Sequence, residues 1–266
     1  MAYYKNPITR FVLRKNVFRR IKMRYSMYKR LFTKDAFADI AFLEQGRDVK
    51  TIFDVGANVG FVAFQFQKRF PKAEIFAFEP NPSVFDQLKE NYKGESKIHP
   101  YQLGVADQSG FLDFNINANT GTSSFLAADE YHKTHQAKHL KEKRSTQVIT
   151  VDEFCQNEGI QHVDILKLDI EGYELNALKG AIELLSKQAI DIIYTEVNLV
   201  PSYKEQPLFH EITAYLQEHC YHIYNVDSFI GQETAIRQAV IGNATYISSA
   251  FRKVLEDKFG KENCGW

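Results

Sequence analysis

The stretch Thr51-Ile-Phe-Asp-Val-Gly-Ala-Asn-Val-Gly-Phe61 decides the fold of this chain. Its first five residues are an apolar run of strand length, Gly56 and Gly60 bracket a turn, and the amphipathic residues 62–70 predict a helix. Glycine lets the backbone turn tightly and approach a ligand with no Cβ in the way. Asp54 sets a carboxylate at the C-terminal edge of the strand, where α/β sheets bind ligands. Working outward, Glu74–Phe78 reads as a second buried strand, Ser83–Tyr92 as a helix closed by Gly94, and His99–Val105 as a third strand. This rhythm predicts an α/β fold with parallel strands in a Rossmann-like sheet, covered by helices on both faces.

The rhythm breaks between Asp107 and Asp152. Gly110–Asn117 and Thr146–Val151 alternate apolar and polar residues, which predicts a hairpin-like insertion over about 108–150. Its middle, Ala118–Ser145, is polar and long enough to be a functional loop or a plain connector. Beyond it, Val163–Leu168 and Ile190–Val197 read as strands, Glu174–Ser186 and Phe209–His219 as helices. Tyr221–Val226 and Ala239–Ser248 read as closing strands. The division expected is a basic helical arm at 1–46, a globular domain at 47–250 and a tail at 251–266.

Composition narrows the class. With 44% hydrophobic residues, 21 Phe and 14 Tyr, the chain can bury a sizeable core. No window approaches the roughly 18 apolar residues of a membrane span, and the N-terminus lacks the apolar core of a secretory signal. Cys155, Cys220 and Cys264 have no paired spacing, which speaks against a disulfide framework or a zinc site and fits a reducing cytoplasm. The neutral total hides an asymmetry: Met1–Lys34 carries 11 Lys or Arg and no Asp or Glu, leaving 22 basic against 33 acidic residues, a net charge of −11, in the remainder.

The glycine turn also narrows the ligand. A dinucleotide site calls for G-x-G-x-x-G with pyrophosphate over the helix N-terminus. Here the turn reads G-x-N-x-G and follows an Asp, which suits a ligand bearing a cationic amine and sulfonium in place of phosphates. Glu79, 19 residues beyond Gly60, ends the second strand in Ile75-Phe-Ala-Phe-Glu-Pro80. An acid at that spacing can accept both ribose hydroxyl protons.

Taken in order, Asp54-Val-Gly-Ala-Asn-Val-Gly60, Phe78-Glu-Pro-Asn-Pro82, Leu103-Gly-Val-Ala-Asp107, Ile149-Thr-Val-Asp-Glu-Phe154 and Leu166-Lys-Leu-Asp-Ile-Glu-Gly-Tyr-Glu174 resemble the FkbM family of S-adenosylmethionine-dependent methyltransferases. The resemblance covers about Thr51–Val226. It implies a class I methyltransferase sheet, mostly parallel with an antiparallel last strand. It also implies S-adenosylmethionine contacts from Asp54, Gly56, Asn58 and Gly60, a ribose site at Glu79 and Asn81, and Ala106 and Asp107 near the adenine. Family members mostly methylate hydroxyls on sugars, glycolipids and other natural products, so a sugar-containing acceptor is expected.

Methyl transfer to oxygen needs an acceptor held in line with the methyl group and a group to take its proton. Lys167 and Asp169 share one strand face, and a Lys in an apolar strand must be paired or reach a cavity. With Glu196 they are the candidate catalytic residues, and Glu171, Asn198, Thr122 and Ser123 are expected around the acceptor. The alternative is that Lys167 pairs with Asp169 or Glu196 only to join strands. Asp169, Glu196 and Asn198 offer hard oxygen donors that could hold Mg2+, although their spacing establishes no geometry. His210, His132, His135 and His139 read as ordinary surface residues.

The arm at 8–34 carries Phe18, Ile21, Tyr25, Tyr28 and Phe32 at helical spacing among basic residues. It could cover the acidic body, lie on an anionic membrane surface or follow a phosphate backbone. The rival functions are a ribose 2′-O-methyltransferase acting on RNA, whose lysine and acid sets Lys167, Asp169 and Glu196 loosely resemble, and a non-catalytic cofactor-binding protein. No N-P-P-Y signature supports nucleic-acid amino methylation, and both Asp54 and Glu79 would be needless in an inert scaffold.

Overall fold

The computed structural model describes residues 35–129, 139–231 and 239–264. The basic segment 8–34, His132 and His135 therefore lie outside the described residues. Helix α1 (Ala36–Leu43) leads to the quoted stretch, which forms strand β1 (Thr51–Val55), a glycine turn and helix α2 (Phe61–Arg69). Gly60 sits at φ 95°, and a Cβ there would stand 2.2 Å from the Tyr92 ring, so the turn admits only glycine. Strand β2 (Glu74–Phe78), helix α3 (Pro82–Asn91) and strand β3 (Ile98–Tyr101) follow. Helix α3 begins where the Asn81 side chain accepts the Ser83 amide and Pro82 fills the first turn.

The third strand, read as continuous over His99–Val105, divides in two. Ile98–Tyr101 pairs with β2, whereas β4 (Gly104–Val105) leaves the main sheet. It joins β5 (Gly110–Asn117) and β6 (Leu140–Ile149) in a small sheet of order β4-β6-β5. This is the expected insertion, but β6 starts well before Thr146. Residues 140–145 are all exposed, so they carry no apolar alternation to announce a strand.

Helix α4 (Val151–Glu158) returns the chain to strand β7 (Val163–Leu168), buried along its whole length. The helix expected over Glu174–Ser186 is two, α5 (Glu174–Lys179) and α6 (Ile182–Ser186). Gly180 marks the break; a Cβ on it would meet the Ala106 carbonyl at 2.1 Å. Strand β8 (Ile190–Asn198), helix α7 (Phe209–Glu218) and strands β9 (Tyr221–Gly231) and β10 (Ala239–Ser248) complete the sheet. The expected tail is instead helix α8 (Ser249–Phe259) and a short α9 (Lys261–Cys264). Ser248 caps α8 by accepting the Phe251 amide, and Phe251 and Leu255 are buried one turn apart.

The main sheet runs β3-β2-β1-β7-β8-β10-β9, parallel through β8, with β10 antiparallel to both neighbours. The order departs in opposite directions from β1 and β7, which opens a crevice at their C-terminal ends. Phe154 from α4 packs edge-on against Phe53 and Phe78 of β1 and β2, at centroid distances of 5.5 and 4.8 Å. Among the described residues no helix is long and apolar enough to cross a membrane.

A buried ion pair lies inside this largely apolar sheet. The β1–β7 register sets Asp54 beside Lys167, and both side chains are buried. Lys167 Nζ stands 2.9 Å from Asp54 Oδ1 and donates to the carbonyls of Val55 (3.1 Å) and Gly56 (2.9 Å). Burial disfavours its charge, but Asp54 and then Asp169 outweigh burial and hold the ammonium above the ordinary lysine range. Lys167 thus fastens the glycine turn to β7 and does not line the acceptor pocket as the catalytic reading required. Lys167→Met should strand a buried carboxylate and lower unfolding free energy by about 3–5 kcal/mol. Adding Asp54→Leu should recover part of that loss. Denaturant titration measures both; a single-variant loss below about 1 kcal/mol would mean the pair is not what holds the turn.

Candidate active site

A cavity of about 230 Å3 opens where the C-terminal ends of β1, β2, β4, β7 and β8 converge. Its first wall is the glycine turn. Gly56 sits at φ 75°, and a Cβ there would come 1.9 Å from the Asp169 carbonyl, so the turns after β1 and β7 touch backbone to backbone. Asn58, at φ 51°, also lines the cavity, and its amide donates to Glu79 Oε2 at 3.0 Å. Gly60 packs behind the turn and does not line the cavity.

Glu79, at the tip of β2, reaches the cavity as expected. Its Oε1 accepts the Asn81 amide at 2.8 Å. Burial pushes its carboxyl up to about 7; the amides of Asn81 and Asn58 and the charge of Lys167 pull the other way, and Asp54 adds to the rise. The geometry differs for its expected companion: Asp54 is wholly buried under the turn, 0% exposed, and touches the cavity only through Lys167 and the loop it holds. Asn81 is likewise buried as a helix cap, with its Nδ2 lacking a partner among the described residues.

The second wall is apolar. Leu103, Gly104 and Val105 line it, whereas Ala106 is buried and Asp107 opens onto a different groove, beside Tyr173. The division of the third strand explains this, since β4 turns into the small sheet immediately before Ala106. Gly104 matters because a Cβ on it would lie 2.4 Å from the ring of Phe125, which completes the wall with Phe114, 4.8 Å away ring to ring. From the insertion Thr120, Gly121 and Ser123 reach the cavity. Ser123 Oγ accepts the Asn117 amide, while Thr122 does not line the cavity; its carbonyl accepts from Asn117 Nδ2 and lies 2.9 Å from the Tyr203 hydroxyl oxygen.

The third wall is carboxylate. Asp169, Glu171 and Glu196 each present an oxygen within 4.8 Å of the others. Burial and the neighbouring charges of Asp169, Glu171 and Glu174, opposed by Lys167, raise the Glu196 carboxyl well above the ordinary range. Glu171 sits in left-handed backbone, φ 57°. Two residues missing from the sequence reading hold it there. Glu174, fully buried, accepts the amides of Ile170 (2.9 Å) and Gly172 (3.2 Å) through Oε1. The buried Tyr203 donates its hydroxyl to Glu171 Oε2 at 2.6 Å, and burial followed by the Glu171 charge keeps that phenol protonated. Glu174 was visible in the quoted motif without a role; Tyr203 sits in the loop after β8, where no pattern marks it. Asn198, two residues beyond Glu196, is buried and does not line the cavity. His139 and His210 are exposed.

Among the described residues four carboxylates and no Lys or Arg line the cavity, which suits a cationic ligand and opposes one rich in phosphate. Together with the apolar wall and the acid ending β2, this set fits a sulfonium nucleoside.

The family model and the sequence relatives point to methyl transfer from S-adenosylmethionine. A family model described as the methyltransferase FkbM domain matches residues 54–223. Hexuronic acid methyltransferase AglP of Haloferax volcanii is 31% identical over 157 residues, covering 59% of this chain and 59% of the relative. 2-O-methyltransferase NoeI of Sinorhizobium fredii is 28% identical over 165 residues (59% and 65%), and methyltransferase sdnD of Sordaria araneosa 29% over 181 (59% and 68%). The matches thus span 59 to 68% of these relatives' own lengths. Among solved structures, magnesium protoporphyrin IX methyltransferase from Synechocystis PCC 6803 overlays 80% of this chain and 77% of its own at 11% identity and a TM-score of 0.45. The chain belongs to the FkbM family of S-adenosylmethionine-dependent methyltransferases.

Proposed function

We propose that this protein transfers a methyl group from S-adenosylmethionine to a hydroxyl of a sugar-containing acceptor. The observation that carries the reading is the carboxylate wall of Asp169, Glu171 and Glu196, set across one cavity from Glu79. Relatives named for hexuronic acid and for 2-O-methylation support the acceptor class.

When bound, the cofactor supplies a methyl group on a positively charged sulfur. Glu79 would accept its ribose hydroxyls, the backbone of Gly56 and Asn58 would border it, and Leu103, Val105 and Phe125 would cover its base. Asp54 and Lys167 keep the turn in shape. At the other end Asp169 accepts the hydrogen of the attacking hydroxyl, with Glu196 beside it, and Glu171 and Ser123 bind neighbouring hydroxyls. Carboxylates suit this work because they accept without donating, and so orient a hydroxyl with its lone pairs toward the methyl group. The proton leaves the acceptor oxygen for Asp169, the more open of the two acids.

The direct test is transfer of isotope-labelled methyl from the cofactor to a panel of uronic-acid and neutral glycans, read by mass spectrometry. Labelling of RNA ribose in place of any glycan would sink the acceptor class. Asp169→Asn should lower kcat by about 10²–10⁴-fold, the usual worth of a positioned acid or base, with S-adenosylhomocysteine affinity unchanged. Parallel losses would make Asp169 a cofactor-binding residue. Glu79 gives a pH dependence. Its pKa of about 7 means that the ionised form, which accepts two hydroxyl protons, prevails above that pH and is lost as the pH falls through it. S-adenosylhomocysteine should therefore bind more weakly on acidification. Glu79→Gln should bind about 1–3 kcal/mol more weakly and show no such pH dependence in calorimetry. An unaltered dissociation constant would remove Glu79 from the ribose.

A further inference from the structure

Two carboxylates beside the reacting oxygen are held with unequal firmness. The side chain of Asp169 is 44% exposed and stands 3.8 Å from Lys167. Glu171 is fastened from several sides. Glu174 Oε1 accepts the amides of Ile170 and Gly172, Ser124 Oγ donates to the Glu171 carbonyl at 2.8 Å, and Tyr203 donates to Glu171 Oε2. These bonds keep Glu171 at φ 57°, a conformation that costs a residue with a side chain and persists only where the surroundings impose it. Gly172, at φ 96°, completes the turn; a Cβ there would stand 3.0 Å from the Gln206 side chain, so the loop after β8 is pressed against it.

Tyr203 is the centre of this fastening. It is 1% exposed, its amide donates to Gln206 Oε1 at 3.1 Å, and it forms a β-bridge with Ala128 of the insertion. Two oxygens lie within reach of its hydroxyl, Glu171 Oε2 at 2.6 Å and the Thr122 carbonyl at 2.9 Å, and it has one proton to give. The proton goes to Glu171, because a carboxylate is the stronger acceptor, while Asn117 Nδ2 donates to the Thr122 carbonyl at 2.6 Å. With Oε2 held, the direction of Oε1 is set as well. Glu171 lines the cavity, and Asp169 presents an oxygen within 4.8 Å of one of its own. At O–H···O distances of about 2.5–3.0 Å, that spacing admits hydroxyls on adjacent sugar carbons, one donating to each acid.

We propose that Tyr203 is a positioning residue for the acceptor: it locks Glu171 so that this carboxylate anchors the hydroxyl next to the one being methylated. Asp169, less confined, takes the proton. The proposal rests on the methyl-transfer reading and narrows its substrate to sugars with a free hydroxyl on the carbon adjacent to the methylated one. In the reaction the acceptor O–H and cofactor S–CH3 bonds break and the O–CH3 bond forms. The proton passes to Asp169, the thioether leaves neutral, and the neighbouring hydroxyl keeps its proton throughout. Its bond to Glu171 is thus the same before and during transfer, so losing it shows in KM and not in kcat.

The experiment measures labelled-methyl transfer to the uronic-acid and neutral glycans against glycan concentration. Any glycan that is labelled is compared with its analogue deoxygenated next to the methylated carbon. Tyr203→Phe, which keeps the ring and its packing, should raise the glycan KM by about 10-fold or more, with kcat and S-adenosylhomocysteine affinity little changed. Glu171→Gly, suited to the positive φ, should raise KM at least as much, and adding Tyr203→Phe to it should cost nothing further. Wild type should disfavour the deoxygenated analogue by about 10–100-fold in kcat/KM, and Glu171→Gly should treat the two nearly alike. A Tyr203→Phe loss of equal size in both backgrounds would make Tyr203 a packing residue and overturn the proposal. So would a wild-type KM in Tyr203→Phe, or wild type that uses the analogue as well as the glycan. Each of these leaves the methyl-transfer reading standing. Wild type that binds S-adenosylhomocysteine but labels no glycan overturns that reading and the role of Tyr203 with it.

Discussion

A lysine ammonium buried in an apolar sheet is costly unless every proton finds an oxygen. In this protein that requirement settles the shape of the ligand loop. Lys167 stands in β7 beside Asp54 of β1, and the two carbonyls it reaches belong to the first residues of the glycine turn. The turn is therefore tied to the neighbouring strand before any ligand arrives. Gly56 completes the arrangement by letting the backbones after β1 and β7 touch. Remove the ammonium, and a buried carboxylate and the Gly56 carbonyl lose a partner together, while the Val55 carbonyl keeps the Asp169 amide.

The same ion pair shows how far the chain could be read without coordinates. Apolar runs at Thr51–Val55, Glu74–Phe78 and Val163–Leu168 marked strands that the fold reproduces to the residue. The period of two put Lys167 and Asp169 on one face, where a lysine has to be paired or reach a cavity. What the pattern lacked was register: only pairing Asp54 with Lys167 across β1 and β7 shows that the lysine looks under the turn and away from the acceptor. The adenine side failed for a related reason. Leu103–Asp107 looked like one strand end, yet the chain changes sheets at Gly104, so Leu103, Gly104 and Val105 face the cavity and Ala106 and Asp107 do not.

Other parts carried no readable signal at all. Residues 140–145 are exposed on both faces and so show no alternation, although they are strand. Helix α8 was missed because one buried turn, Phe251 and Leu255, is too short a pattern to count. Tyr203 is a lone aromatic in a loop, and its importance lies in long-range bonds to Glu171 and Thr122. Carboxylates fared better, because acids at strand ends have few structural uses: Glu79, Asp169, Glu171 and Glu196 all reach the cavity.

The two ends of the cavity are built from separable pieces of chain. Glu79, the glycine turn and the β4 wall come from the first half of the main sheet and its insertion, whereas the carboxylate wall is steadied by the loop after β8, through Tyr203. Within that loop Gln206 accepts the amides of Ser202 and Tyr203, and the loop meets the insertion through the Asp129 amide donating to the Ser202 carbonyl and the Lys204 amide donating to the Ala127 carbonyl. In the proposed reaction, lengthening or recomposing it would remodel what docks beside the reacting oxygen while the proposed nucleoside grip stays intact. A scaffold divided in this way can diversify its choice of acceptor one loop at a time, without having to reinvent the donor.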